Sequence, residues 1–131
     1  MCVFCDIVAG KIPCYKIYED KYTLAFLDIA KDTYGNTLVI PKDHYDNMLS
    51  IPVRTLNHVM STVKKVTKHY SALGYDGFNI LNNCGDVAAL VSHFHVHIFP
   101  RKNGDNKEMD LLPHDKTVDL DKACSELSMI K

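Results

Sequence analysis

Two hydrophobic periods divide the chain. Between Pro52 and Leu73 apolar side chains return every three or four residues, at Val53, Leu56, Val59, Met60, Val63, Val66, Tyr70 and Leu73. This spacing predicts one long amphipathic helix, with Ser50 or Ile51 near its cap, Pro52 in its first turn and Gly74 just past its end. Tyr70 and Met60 on the stripe read as core filling, and His58 and His69, off it, as surface residues. Elsewhere the apolar residues alternate with polar ones or form short runs, which predicts strands. Residues 12–18, 23–29, 36–42, 77–82 and 92–100 fit that description. Gly35 and Pro41 bound the third, marking it as a central strand closed by proline. A short helical turn through Ile7 and Val8 is ended by Gly10. Leu120, Ala123, Cys124, Leu127 and Ile130 recur at helical spacing and predict a terminal helix over residues 118–130, docked on the body or on a partner chain.

At 131 residues the chain is one domain, long enough to bury one sizeable core. Its 15 basic and 16 acidic residues leave no overall positive field for gripping nucleic acid or a membrane surface, so any phosphate recognition is local. No apolar run approaches the ~18 residues of a membrane span, and no signal-peptide pattern opens the chain, which reads as cytoplasmic. Five cysteines, an odd number, argue for thiols that are free or metal-bound.

The candidate chemistry lies in the last predicted strand, where His93, His95 and His97 alternate with Phe94, Val96 and Ile98. Extended backbone sends successive side chains to opposite faces, so three imidazoles line one face and three apolar side chains the other. Imidazole ionises near neutrality and serves as base, nucleophile or metal ligand, so this ridge is a site in itself. Cys2 and Cys5 form a Cys-x-x-Cys pair with one residue before it, a poor setting for a redox motif and a better one for metal. Two thiolates supply only half of a tetrahedral site. A carboxylate at a strand end can accept from a sugar diol or form a turn, and Asp28 stands there. Residues 83–90 are rich in small side chains and feed the histidine strand, which puts their amides and Asn83 beside the imidazoles, where oriented amides hold anions.

The run His93-x-His95-x-His97, with Asn83-x-Gly85 upstream and Phe26-Leu27-Asp28-Ile29 and Leu38-Val39-Ile40-Pro41-Lys42-x-His44 in the same order, resembles the histidine triad superfamily of nucleotide hydrolases and transferases. The likeness spans Cys2 to about Arg101, making 1–101 the core and 102–131 a C-terminal extension. It is strongest to the nucleoside phosphoramidate hydrolases that carry an N-terminal cysteine pair. The resemblance implies an α+β fold: an antiparallel sheet of about five strands, one long and one short helix, and a homodimer with a purine nucleotide site in each subunit. It implies His95 as nucleophile on the α-phosphorus, giving a nucleotidyl-histidine intermediate, and His97 as its phosphate-side partner. Val3, Phe4 and Ile7 match the wall of the base pocket, Phe26, Asp28 and Ile29 the nucleoside contacts, and Asn83 and His97 further nucleotide contacts. Cys2, Cys5, His44 and His93 match the ligands of a structural zinc. Hydrolysis of dinucleoside polyphosphates and a non-enzymatic nucleotide-binding scaffold are the alternatives. The chain departs from the family at residues 88–92, which lack the glutamine of a Gly-Gln-Ser-Val-like segment and run one residue shorter; loss of one oxyanion donor costs ~2.7–4 kcal/mol.

Overall fold

The computed structural model describes residues 2–29, 34–105 and 118–130. In chain order these are α1 (Val3–Val8), β1 (Lys16–Glu19), β2 (Thr23–Leu27), β3 (Thr37–Pro41), α2 (Val53–Ala72), β4 (Gly77–Leu81), β5 (Val96–Arg101) and α3 (Leu120–Leu127). The five strands form one antiparallel sheet of order β1-β2-β3-β5-β4, the α+β architecture implied above; beside the long helix the described residues form two short ones, α1 and α3, where one was implied. β3 is central and ends on Pro41, as its flanking residues indicate.

Each face of the sheet carries its own apolar layer. Val39, Val96, Ile98 and Phe94 pack with Val59, Val63, Val66 and Tyr70 of α2 and with Leu120, Ala123 and Leu127 of α3. On the other face Phe4 of α1 packs with Leu24, Phe26, Leu38 and Ile40. Removing these side chains from water is the main favourable contribution to folding. Buried hydroxyls pair with one another: Thr23 with Thr62 at 2.6 Å and Thr37 with Tyr70 at 2.7 Å.

Three local expectations shift. Pro52 is the N-cap of α2, with extended ψ of 148°, so the helix begins at Val53, the first residue of the stripe, and its cap lies later than Ser50 or Ile51. Met60 is exposed and is not core, because α2 turns Val59, Thr62, Val63, Val66 and Tyr70 toward the sheet. His69 is half-buried, its Nε2–H donating to the carbonyl of Leu127 at 3.0 Å, which ties α2 to the end of α3; His58 stacks on Tyr22. The terminal helix docks on the body: Met129 N–H donates to the Ile17 carbonyl and the Ser128 hydroxyl to that of Lys16.

Gly35 closes the turn before β3 at φ +79°, and a Cβ there would stand 2.6 Å from Pro100 Cγ. Gly35→Ala therefore meets both a left-handed backbone and a ring that cannot swing away. The expected loss is about 2–4 kcal/mol in urea unfolding, with an unchanged m-value.

Candidate functional site

The regular ladder of β5 begins at Val96, three residues later than the histidine alternation. Pro41 has no N–H with which β3 could extend the pairing, and its carbonyl instead accepts Nε2–H of His93 at 2.9 Å. Local bonds hold the segment before the ladder: Phe94 N–H donates to the Tyr45 carbonyl, Asn82 Nδ2 to that of His95, and His95 Nδ1–H to that of His93 at 2.7 Å. Alternation survives nonetheless. Phe94, Val96 and Ile98 enter the helix-side core, while the rings of His93 and His95 each meet Phe4 edge-on on the opposite face.

The three histidines do not converge on one point. His93 turns Nδ1 toward the N-terminus, 3.3 Å from Cys2 Sγ, 3.5 Å from Cys5 Sγ and 3.1 Å from His44 Nδ1. Cys5 Sγ lies 3.3 Å from His44 Nδ1, and one ligand atom from each of Cys2, Cys5, His44 and His93 falls within 4.8 Å of the others. Donors bound ~2.0–2.3 Å from a common tetrahedral ion stand roughly 3.3–3.8 Å apart, so this group is dimensioned for a metal. Its protonation agrees. Nε2 of His93 donates to Pro41 and Nε2 of His44 to Asp46 Oδ1 at 2.9 Å, leaving both Nδ1 lone pairs facing each other. Burial holds His93 below the ordinary histidine value, favouring the neutral ligating form, whereas the Asp46 carboxylate raises His44. With both ring protons committed outward, the two nitrogens are reconciled by a proton shared between them or by a metal ion that displaces it.

His95 and His97 instead line a pocket of about 500 Å³ between α1, the start of β3 and the loop before β5. Val3, Phe4 and Ile7 of α1, Phe26, Asp28 and Ile29 at the end of β2, and Asn83 all border it, so every residue assigned above to nucleotide contact lies on one cavity. Leu38 also lines it, as do Ile12, Pro13 and Cys14, and Ala88, Leu90 and Val91 of the short loop. Ala88 and Leu90 belong to the 83–90 segment expected beside the imidazoles; sequence reasoning did not select Ile12, Pro13, Cys14, Leu38 and Val91, since a side chain without polar chemistry carries no mark of which cavity it borders. Ser92 does not line the pocket; its hydroxyl donates to Asp86 at 3.4 Å on the exposed side. The loop brings Ala88, Leu90 and Val91 to the pocket in place of side-chain oxyanion donors.

A model of the HIT domain matches residues 9–104. The chain belongs to the HIT domain family. An uncharacterized HIT-like protein of Methanocaldococcus jannaschii is 44% identical over 128 residues, covering 97% of this chain and 98% of that one. The adenosine 5′-monophosphoramidase of Schizosaccharomyces pombe is 45% identical over 103 residues, covering 78% of this chain and 75% of its own. Among solved structures, a Zn-bound histidine triad family protein of Mycobacterium smegmatis superposes with a TM-score of 0.85 at 36% identity, covering 96% of this chain and 89% of that one.

Within this HIT domain His97 stands apart electrostatically. Burial first, and then the neighbouring His95, push it down to about 4, with Asp28 opposing weakly. A histidine lowered in the folded state binds its proton later than the unfolded chain does, so its contribution is complete above pH ~6.5 and lost as pH falls toward 4. The expected loss from this group is about 2–3 kcal/mol by pH 4.5. Urea unfolding of wild type and His97→Gln at pH 7 and pH 4.5 measures it: the variant should lose correspondingly less stability on acidification. No helix among the described residues is long and apolar enough to cross a membrane.

Proposed function

We propose that this HIT protein is a nucleotide hydrolase that cleaves nucleoside 5′-phosphoramidates of the adenosine phosphoramidate type through a nucleotidyl-histidine intermediate on His95. The tautomer of His95 carries this reading. A carbonyl only accepts, so the bond to His93 places the ring proton of His95 on Nδ1 and the lone pair on Nε2, in a ring that borders the pocket. A neutral imidazole in that state is a nucleophile near pH 7 without a further base.

Val3, Phe4, Ile7, Phe26 and Leu38 form an apolar slot suited to a purine, and Asp28 and Ile29 stand where the ribose would follow, with the carboxylate accepting from its hydroxyls. Nε2 of His95 then bonds to the α-phosphorus as the phosphorus–nitrogen bond breaks, and the departing amine takes a proton from water. A second water adds to phosphorus and gives its proton to the hydroxide left by the first, the bond to His95 breaks, and a nucleoside monophosphate leaves with the imidazole restored. Asn83 and His97 meet the phosphate side. Among the described lining residues there is no lysine or arginine to neutralise a long phosphate chain, which favours phosphoramidates over dinucleoside polyphosphates. The name of the fission-yeast relative points to the same bond.

Zinc is the metal that two thiolates and two imidazoles at these spacings suit best, held by Cys2, Cys5, His44 and His93. Four protein ligands close the site, so the ion's contribution is structural: it ties α1 to the residue whose carbonyl orients His95. Val53 and Met60, exposed apolar side chains seven residues apart on α2, support a homodimer. Five cysteines without a disulfide fit a reducing, cytoplasmic setting. The test is AMP release from a panel of adenosine 5′-phosphoramidates and diadenosine polyphosphates: rapid release from the former supports the assignment, and exclusive cleavage of the latter refutes it.

A further inference from the structure

Asn36 stands immediately before β3, and its side chain spans two parts of the pocket that are far apart in sequence. Its Nδ2 donates to Asp28 Oδ2 at 3.3 Å, and its Oδ1 meets Nδ1 of His97 at 3.2 Å. The backbone repeats the connection, with Asp28 N–H donating to the Asn36 carbonyl at 2.9 Å. A carboxylate only accepts, so Asp28 decides which end of the amide faces it, and the oxygen is left for His97. That oxygen also only accepts. Nδ1 of His97 must therefore carry the ring proton, and Nε2 the lone pair.

The geometry points to Asn36 as a positioning residue that sets the tautomer of His97 and couples it to the nucleoside-binding carboxylate Asp28, making His97 a hydrogen-bond acceptor at the phosphate end of the pocket. The inference rests on the nucleotide hydrolase reading above and sharpens it. An acceptor there meets an N–H of the leaving amine or an O–H of the hydrolytic water; it does not donate to a phosphoryl oxygen. The titratable groups facing His97 are His95, whose ring centroid is 5.1 Å away, and Asp28, while Phe99 stacks on the ring at 5.5 Å. Burial keeps His97 neutral over the working range, so its tautomer is the variable left for a neighbour to set.

The turn that carries Asn36 is held on its far side. Tyr34 hydrogen-bonds Glu126 of α3, Gly35 packs against Pro100 and Leu127, and the Gly35 carbonyl accepts from the Thr37 hydroxyl at 2.8 Å. The docked C-terminal helix thereby supports the residue that orients His97, although α3 itself does not line the pocket.

Ring ¹⁵N spectra and pH–rate profiles of wild type, Asn36→Ala and Asn36→Asp test this. Wild-type His97 should show the Nδ1–H tautomer. Asn36→Ala should mix the two tautomers and lower kcat roughly 10–100-fold, a larger effect than the rise in KM that follows from freeing Asp28. Asn36→Asp places one carboxylate oxygen against Nδ1–H and the other against Asp28, where the added negative charge favours protonation nearby; it should keep the tautomer, raise the His97 titration by about one unit or more, and move the acid limb of kcat upward with it. Being close in shape to asparagine, it also keeps the test open should the alanine variant fold poorly. An unchanged His97 tautomer in Asn36→Ala, or an unmoved titration and acid limb in Asn36→Asp, overturns the inference. The spectra need no turnover. A wild type that cleaves nothing in the panel yet shows an Asn36-dependent tautomer refutes the hydrolase reading and upholds the positioning of His97; an active enzyme with an indifferent His97 refutes the inference alone.

Discussion

His95→Ala is expected to lower kcat/KM for adenosine 5′-phosphoramidate by about 10⁴–10⁶-fold, the range seen when a covalent nucleophile is deleted from a site that otherwise still binds and polarises its substrate. The loss should fall on kcat. Asp28 and the slot formed by Phe4, Phe26 and Leu38 do not depend on the imidazole for their placement, so AMP should bind with nearly wild-type affinity in calorimetry. Removing a ring that is only 6% exposed leaves a void beside Phe4, and the variant should unfold about 1–3 kcal/mol more easily. Equal rates for variant and wild type would remove His95 from the mechanism and with it the covalent route. Residual binding without turnover in the wild type as well would identify a nucleotide-binding scaffold.

Replacing both Cys2 and Cys5 with serine should abolish metal retention, measured by elemental analysis after gel filtration, and lower Tm by roughly 10–20 °C, equivalent to ~3–5 kcal/mol for a chain of this size. Cys2 is also the N-cap of α1, its Sγ accepting from Cys5 N–H, and serine can keep that cap, so the loss would report the metal. The effect should reach catalysis. With α1 released, Phe4 would no longer press on His93 and His95, and the His93 carbonyl that orients Nδ1 of His95 would lose its anchor. Hydrolysis should therefore slow although neither cysteine touches the substrate. Full metal content with both thiols gone would overturn the four-ligand site and favour a metal carried by the histidine strand.

Legibility differed by element. α2 and the histidine segment were plain because each sends a repeating set of apolar side chains to one face: Val59, Val63, Val66 and Tyr70 return on the sheet side, and Phe94, Val96 and Ile98 alternate into the core, whereas β2 and β3, buried on both faces, read as continuous apolar runs. Met60 misled because helical spacing defines a stripe wide enough to hold both the buried edge and an exposed shoulder. The start of β5 misled for a different reason. Alternation of side chains requires only extended backbone, whereas a ladder requires a partner N–H, and Pro41 has none to offer.

The residue types of the chemistry and their division between faces are already written along the chain: a histidine ridge, a cysteine pair short of two ligands, and a carboxylate at a strand end. Folding is what gives each imidazole a different partner. Role follows from which ring nitrogen keeps its proton, and that is set by acceptors distant in the chain or hidden in its backbone: the Pro41 carbonyl for His93, the His93 carbonyl for His95, and the Asn36 amide for His97. Asn36 in particular has no signature, since an asparagine beside a turn is ordinary. It becomes legible when folding sets it between Asp28 and His97, where a carboxylate on one side fixes what the amide presents on the other.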